Sequence, residues 1–521
     1  MHWSERIARE IIERNPNKEE YVCAAGISPS GSVHVGNFRD IAIPYFVTLA
    51  LKKLGKKAKL LFSWDDFDRL RKVPVNVSSV VDGYEKYIGV PYSQIPSPFD
   101  KDKTYAEYFE NEFENSLKVL GVEYDVRYQT KEYLSGRYAE KVKLALEKRK
   151  EIYDIMMSFK TQDASSEDRE NYYPISVYCN NCFKDSTVVK SYDEKNHLLT
   201  YYCKACDKEE TVDVLKYFKI KLVWKVDWPM RWQMENVDFE AGGIDHAASG
   251  GSYQVDTVLS PKIFGYNAPV FQGYGWLGFQ GVSSMHSSSG INITPANALK
   301  LYEPEILRWL FAKYEPKDAY NFYFDETLIR HYSEFDKGLQ SYLDGSCDEM
   351  TKDLYDLCLI KKEKKVKTPF GIIASLAPIV DFKLENLKSC LNKAGVEFNE
   401  DSYERLDKVK HWITTYMPQK MYKLLENKNE EFAKTLTEEE KSTVKKLYNY
   451  LEENEVKEKE VQQYLYDIIN DPNLTKKENM NKQQSYFKIF YNLLFGTNEG
   501  PRLYLFFSAS DKNSYLKLLE V

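Results

Sequence analysis

Pro29-Ser-Gly-Ser-Val-His-Val-Gly-Asn37 follows an apolar run, Tyr21-Val-Cys-Ala-Ala25, and opens into residues 38–54, which Gly55 closes. The run reads as a buried strand and 38–54 as a helix. A Gly-rich turn between a parallel strand and a helix is where an α/β sheet binds nucleotide. The turn contains neither GxGxxG nor GxxxxGK followed by Ser or Thr, so it is neither a dinucleotide fingerprint nor a P-loop. It does place His34 at the mouth of the helix, with Gly36 and Asn37 behind it. A His and an Asn one turn apart can both donate hydrogen bonds to a phosphate without a Walker lysine. Gly36 lets a flat ring approach the backbone.

At 521 residues the chain is too long for one core, and three or more domains are expected. Hydrophobic content of 43% with 29% charged residues describes a soluble globular protein. There is no run of about 18 apolar residues and the first residues do not read as a signal peptide, so no membrane span and a cytosolic location are expected. A net charge of −7 argues against a protein that coats nucleic acid nonspecifically, while leaving room for a local basic face. Of the 8 cysteines, four form two CxxC pairs; Cys23, Cys347, Cys358 and Cys390 are scattered. That pattern suggests one metal site plus free thiols.

Outward from the turn, Ser4 is expected to cap an amphipathic first helix carrying Ile7, Ala8, Ile11 and Ile12 on one face. Pro44 should kink or break the helix after the turn. Ala58 to Ser63 reads as a second buried strand, delivering Trp64-Asp-Asp-Phe-Asp-Arg69 at its carboxyl end. Two parallel strands joined by a crossover helix bind ligands outside those ends, so Asp65, Asp66 and Asp68 should face the crevice of His34. A Pro-rich loop, a helix over 105–120, a short strand over 123–130 and one long helix over 136–157 then read as an insertion. Cys179-Asn-Asn-Cys182 and Cys203-Lys-Ala-Cys206, about 20 residues apart, fit structural zinc held by four thiolates, with few apolar residues between them to form a core. Residues 217–226 return to buried β character and lead into Asp227-Trp-Pro-Met-Arg-Trp232. Ala241-Gly-Gly-Ile-Asp-His-Ala247 is another strand-to-helix turn. Residues 269–277 read as a strand with Tyr274 and Trp276 on one face. Gly281 to Gly290 is a small polar loop, and the pattern beyond Pro304 is helical almost throughout.

The opening turn resembles the first signature of class I aminoacyl-tRNA synthetases, Pro-x-Gly-x-x-His-x-Gly-His, with Asn37 in place of the last His. Gly243, Asp245 and His246 resemble the family's second-half element lining the ATP and amino-acid site. The loop with Met285 and Ser288 resembles the Lys-Met-Ser-Lys-Ser signature in degenerate form, because it contains no lysine. In the family that lysine stabilises charge on the ATP phosphates, so its absence leaves Ser287, Ser288, Ser289, His286 and backbone N–H groups. The order of these pieces, with Trp64-Asp-Asp-Phe-Asp and Trp224 to Trp232, is similar over essentially the whole chain to the class I lysyl-tRNA synthetases of archaea and spirochaetes.

The resemblance implies an α/β Rossmann-like class I catalytic domain with an inserted acceptor-binding and zinc-ribbon region, followed by all-α C-terminal domains. The expected boundaries are 1–90 and 217–300 for the two catalytic halves and 91–216 for the insertion, with its ribbon at about 175–210. A helical stem-contact domain would span 301–365 and an anticodon-binding domain 366–521. The implied activity is ATP-dependent ligation of lysine to tRNA(Lys) through lysyl-adenylate, with magnesium accompanying ATP and structural zinc on Cys179, Cys182, Cys203 and Cys206. His34, Asn37, Ser287 and Ser288 would be catalytic. Pro29, Ser30, Gly31, His34, Gly36, Asn37, Asp245, Met285, Ser287, Ser288 and Ser289 would contact ATP. Gly26, Ser28, Asp65, Trp224, His246, Tyr274 and Trp276 would hold lysine, the aromatics walling its long stem. A cytoplasmic monomer is expected. The alternatives are a glutamyl-type class I enzyme, a non-catalytic tRNA-binding descendant of a synthetase, and a zinc-ribbon nucleic-acid binder.

Overall fold

The computed structural model describes residues 1–160, 165–279, 293–360 and 365–521. The first helix, α1 (Trp3–Arg14), is capped by His2, whose Nδ1 accepts from the Ser4 N–H. Ser4 is itself buried in the first turn, so the expected Ser4 cap lies two residues too late. The Trp3 indole N–H bonds the Ala312 carbonyl at 2.8 Å, and His2 Nε2 lies 2.9 Å from the same oxygen.

Strand β1 (Tyr21–Ile27) is buried along almost its whole length, as a continuous apolar run requires in the middle of a parallel sheet. Helix α2 (Phe38–Lys53) runs through Pro44 without a break. It is buried on nearly every side, and tertiary packing outweighs the missing N–H. The Thr48 hydroxyl satisfies the Pro44 carbonyl at 2.8 Å. Strand β2 (Ala58–Trp64) pairs parallel to β1 in full register, Tyr21 opposite Ala58 and Ile27 opposite Trp64. Helix α3 (Tyr105–Val119) begins with a capping box in which Thr104 and Glu107 exchange hydrogen bonds. It feeds β3 (Asp125–Tyr128), which pairs parallel to β2. The stretch read as wholly inserted therefore contributes the edge strand of the main sheet.

The single long helix expected over 136–157 is two helices, Ala139–Glu147 and Arg149–Met157, separated at Lys148. Strand β4 (Ile175–Val177) precedes a three-stranded antiparallel ribbon of β5 (Thr187–Asp193), β6 (Leu198–Cys203) and β7 (Lys208–Asp213), with β6 central. The ribbon is less hollow than its composition suggested. Leu199 and Tyr201 are fully buried against Tyr178 and Val177. Strand β8 (Ile220–Leu222) pairs antiparallel to β4.

The β reading of the next stretch is corrected from residue 224 onward. Helix α4 (Trp224–Glu235) occupies it, with Pro229 inside. Trp224, Trp228 and Trp232 pack along one face at centroid spacings of 5.0 Å, the first pair stacked and the second tilted. Strand β9 (Phe239–Gly243), helix α5 (Ser252–Leu259) and strand β10 (Val270–Tyr274) complete the half. The main sheet is five parallel strands in the order β10-β9-β1-β2-β3. Its order reverses between β1 and β9, which puts the crevice at the carboxyl ends of those strands.

The chain divides into two compact units. The first comprises residues 1–299, 304–322 and 347–362, so residues 301–365 are shared between units. The second, 300–303, 323–346 and 363–521, is helical among its described residues. Its hub is Arg405, buried to 1% exposure, which bonds both carboxylate oxygens of Asp336 at 2.6 and 2.7 Å and Glu303 at 2.9 Å. A second apolar core there contains Val444, Leu447, Leu465, Phe490 and Phe506. No helix among the described residues is long and apolar enough to cross a membrane.

Candidate active site

The turn Pro29–Asn37 emerges from the carboxyl end of β1. Its backbone folds back on itself, with the Asn37 N–H bonding the His34 carbonyl at 2.9 Å and His34 Nδ1 at 3.2 Å. Accepting on Nδ1 leaves Nε2 as the donor of a neutral His34 ring. The Tyr105 hydroxyl from α3 fixes the Ser30 carbonyl at 2.8 Å. Asp40, in the first turn of α2, accepts from the Tyr274 hydroxyl, with the Asn37 side chain beside it. Arg39, which the sequence reading passed over, is buried and donates to the carbonyls of Gly275, Pro316 and Asp318 at 2.6 to 2.9 Å. It ties the end of β10 to a segment 40 residues later in the chain.

Beside the turn lies a cavity of about 460 Å³. Gly26, Ser28, Asp65, Trp224 and His246, five of the seven residues expected around lysine, line it together with Asp68, Lys221 and Tyr178. Its floor is a buried charge network. Arg231 bonds Asp65 at 2.6 Å and makes a short bond to Asp227. Lys221 lies 2.9 Å from Asp68 and 3.3 Å from Asp227. The Tyr133 hydroxyl also donates to Asp227. Burial acts to raise Asp227, but Arg231 and Lys221 more than offset it and hold the carboxyl below its ordinary range. Asp65 is pushed up by burial against the pull of Arg231. Arg69, Arg71 and Asp185 also line the cavity, so its acids and bases balance in number.

The three acids after β2 part company. Asp65 turns onto Arg231. Asp66 does not face the crevice: it accepts the Thr130 N–H at 2.8 Å, and burial pushes it up to about 6. Asp68 stays partly open, at 30% side-chain exposure, and accepts from the Ser28 hydroxyl at 3.0 Å. Arg231, Asp227 and Lys221 were missed. The signal for the first two was an acid and a base four residues apart within a tryptophan-rich run, which fits one helix face.

Asp245 and His246 lie in a single 3₁₀ turn, Ile244–Ala247, at the carboxyl end of β9. The His246 ring packs 5.4 Å from Trp228. Gly251 closes this turn where a Cβ would sit 2.4 Å from the His246 carbonyl. Strand β10 ends at Tyr274, so Tyr274 and Trp276 do not share a strand face. Neither lines the cavity: the Tyr274 hydroxyl goes to Asp40, and Trp276 is 53% exposed. Met285, Ser287, Ser288 and Ser289 lie outside the described residues.

The four CxxC sulfurs converge. Cys179 Sγ lies 3.6 Å from Cys206 Sγ and Cys182 Sγ 3.6 Å from Cys203 Sγ, all four within 4.8 Å of one another. Tetrahedral zinc with Zn–S bonds of about 2.3 Å requires sulfurs about 3.8 Å apart. Phe183 and Asp207, each directly after a knuckle, both take positive φ, 59° and 54°. The two turns are the same structure used twice.

Residues 1–361 match the family model described as "tRNA synthetases class I (K)". The chain belongs to this class I synthetase family. Its relatives include proteins named lysine–tRNA ligase over nearly their whole length. The Streptomyces coelicolor protein is 32% identical across 96% of this chain and 95% of its own. That of Treponema pallidum is 30% identical across 100% and 98%, and that of Pyrococcus horikoshii 30% across 100% and 99%. The turn bearing His34 opens at the carboxyl ends of β1 and β9, where the strand order of the sheet reverses. The parallel sheet and the abundance of helices are those of the class I fold.

Proposed function

We propose that this chain ligates L-lysine to the 3′-terminal adenosine of tRNA(Lys), using ATP, by way of lysyl-adenylate. The observation that carries the reading is the 460 Å³ cavity beside the His34 turn, where the partly open Asp68 stands with Trp224 and His246. Asp68 offers a carboxylate to an ammonium group, and the two rings offer flat walls to a long apolar stem.

A lysine carboxylate oxygen attacks the α-phosphorus and pyrophosphate leaves. The 2′-hydroxyl of the terminal adenosine then attacks the lysyl carbonyl and AMP leaves. Both steps are driven by positioning and charge neutralisation, so no nucleophilic side chain is required. Nε2 of His34 and the amide of Asn37 donate to the phosphates, and Pro29, Ser30, Gly31 and Gly36 present backbone to the nucleotide. Asp245 takes the ribose. Gly26 and Ser28 leave room for the amino and carboxylate ends of lysine. Trp224 and His246 flank its stem, and Asp68, the acid of the network left most open, takes an ammonium. Tyr274 contributes from the end of β10 through Asp40. The loop bearing Met285, Ser287, Ser288 and Ser289 is assigned to the triphosphate. Magnesium would neutralise phosphate charge when bound with ATP. Zinc on Cys179, Cys182, Cys203 and Cys206 would fix the ribbon, and a four-thiolate set leaves no open position for chemistry. A cytoplasmic location and a monomeric state belong to the same proposal.

The test is lysine-dependent ATP–pyrophosphate exchange in the presence of tRNA. His34→Ala is expected to lower the rate by about 10²–10³, the usual effect of removing one preorganised donor, with the melting temperature unchanged. Wild-type exchange in that variant would remove His34 from the mechanism.

A further inference from the structure

Asp40 lies outside the signature turn, three residues past Asn37 in the first turn of α2. Its carboxyl accepts from the Tyr274 hydroxyl, at the end of β10, and the Asn37 side chain lies beside it. Asn37 belongs to the half of the sheet built from β1 and α2. Tyr274 belongs to the half built from β9 and β10, more than 200 residues later. One carboxyl therefore joins the two walls of the crevice. Pro44 has no N–H to give the Asp40 carbonyl, so the helix backbone holds this turn less tightly than an unbroken ladder would.

The groups around Asp40 are few. Tyr274 reaches it from β10, Asn37 from the turn, and Asp245 from the 3₁₀ turn after β9. The Arg39 guanidinium sits 5.7 Å over the Tyr274 ring but is committed to three carbonyls. Among the described residues no cation in direct contact offsets the Asp40 charge, and Asp245 opposes it.

We propose that Asp40 is a positioning residue for adenylate formation: it holds Asn37 and Tyr274 in one arrangement across the crevice, so that the signature turn and β10 meet ATP and lysine together. The assignment rests on the lysine-ligase reading above. Burial pushes Asp40 up to about 7, so its charge changes within the working range of the enzyme. Ionised, the carboxyl accepts from the Tyr274 hydroxyl and attracts the Asn37 amide beside it. Protonated, one oxygen becomes a donor and both attractions weaken.

The experiment is ATP–pyrophosphate exchange with lysine and tRNA from about pH 6 to about pH 8.5. It compares the wild-type chain, Asp40→Asn, Tyr274→Phe and the double variant. Asp40→Asn is expected to lower kcat/KM for ATP about tenfold or more, to keep the melting temperature, and to lose the inflection near pH 7. The double variant should be no worse than the weaker single variant, because both act through one contact. Wild-type kcat/KM and an unaltered pH profile in Asp40→Asn would overturn the assignment. If Asp40→Asn folds poorly, Tyr274→Phe, which removes only a hydroxyl, decides the matter: a similar loss supports the contact and wild-type kinetics overturns it. Absence of exchange in the wild-type chain would overturn the lysine-ligase reading and this assignment with it.

Discussion

Asp68 and Asp65 sit three residues apart, yet their environments differ because of partners that come from 150 residues downstream. Asp65 is spent on Arg231, while Asp68 shares Lys221 with Asp227 and keeps an open face. The sequence showed that acids stand at the carboxyl end of β2. It did not show which one stays available, because burial and long-range pairing decide that. Asp68→Asn is expected to raise KM for lysine about tenfold or more while leaving KM for ATP near wild type, measured by exchange at saturating ATP. Equal effects on both substrates would move Asp68 out of the amino-acid subsite. Arg231→Met should be far more disruptive, because it strands Asp65 and Asp227 in the interior; its expected signature is a large drop in melting temperature.

Among the elements, the most instructive difference is α4. Its three tryptophans recur every four residues, which is helical spacing, but the apolar run of β8 carried the β reading on to Val226, and Pro229 stands inside the helix. Pro44 in α2 raised the same question and the helix ran through it. In both places a buried environment overrides the local cost of proline. The main strands were legible because fully buried parallel strands are continuous apolar runs. The zinc knuckles were legible because the chemistry fixes their spacing, and the sulfurs do converge. Cys179→Ser is expected to abolish bound zinc in metal analysis of the purified chain and to lower the melting temperature by several degrees; full zinc content with an unchanged melt would contradict a structural site.

A second element-scale prediction concerns α3. Glu110 is buried, its Oε1 has no hydrogen-bond partner among the described residues, and burial pushes it up to about 8. An unfolded Glu ionises near pH 4.3, so between about pH 4 and about pH 8 the folded chain holds a proton that the unfolded chain has released. Stability from this group therefore falls as pH rises through that window. Glu240 and Asp66, pushed up to about 7 and about 6, act in the same direction. Glu110→Gln should gain melting temperature relative to wild type as pH goes from about 5 to about 9. A difference that does not change with pH would contradict the buried-acid account.

For the molecule as a whole, the sequence carried the order of the pieces better than their limits. His34 turn, acid-bearing strand end, thiolate knuckles, Asp245-His246 turn and helical remainder follow one another in the folded chain. The limits are blurred by β3, which joins the main sheet from within the expected insertion, and by 301–365, which the two units share. Hydrogen-bonded register and long-range packing set those limits, and neither has a local sequence signal. The activity likewise belongs to the whole molecule, since lysine, ATP and tRNA must be handled by one chain. The most direct measurement is charging of total tRNA with each labelled amino acid in turn. The account predicts that lysine alone is incorporated, with label on the terminal adenosine of tRNA(Lys). Incorporation of glutamate, or of no amino acid despite tRNA binding, would contradict it.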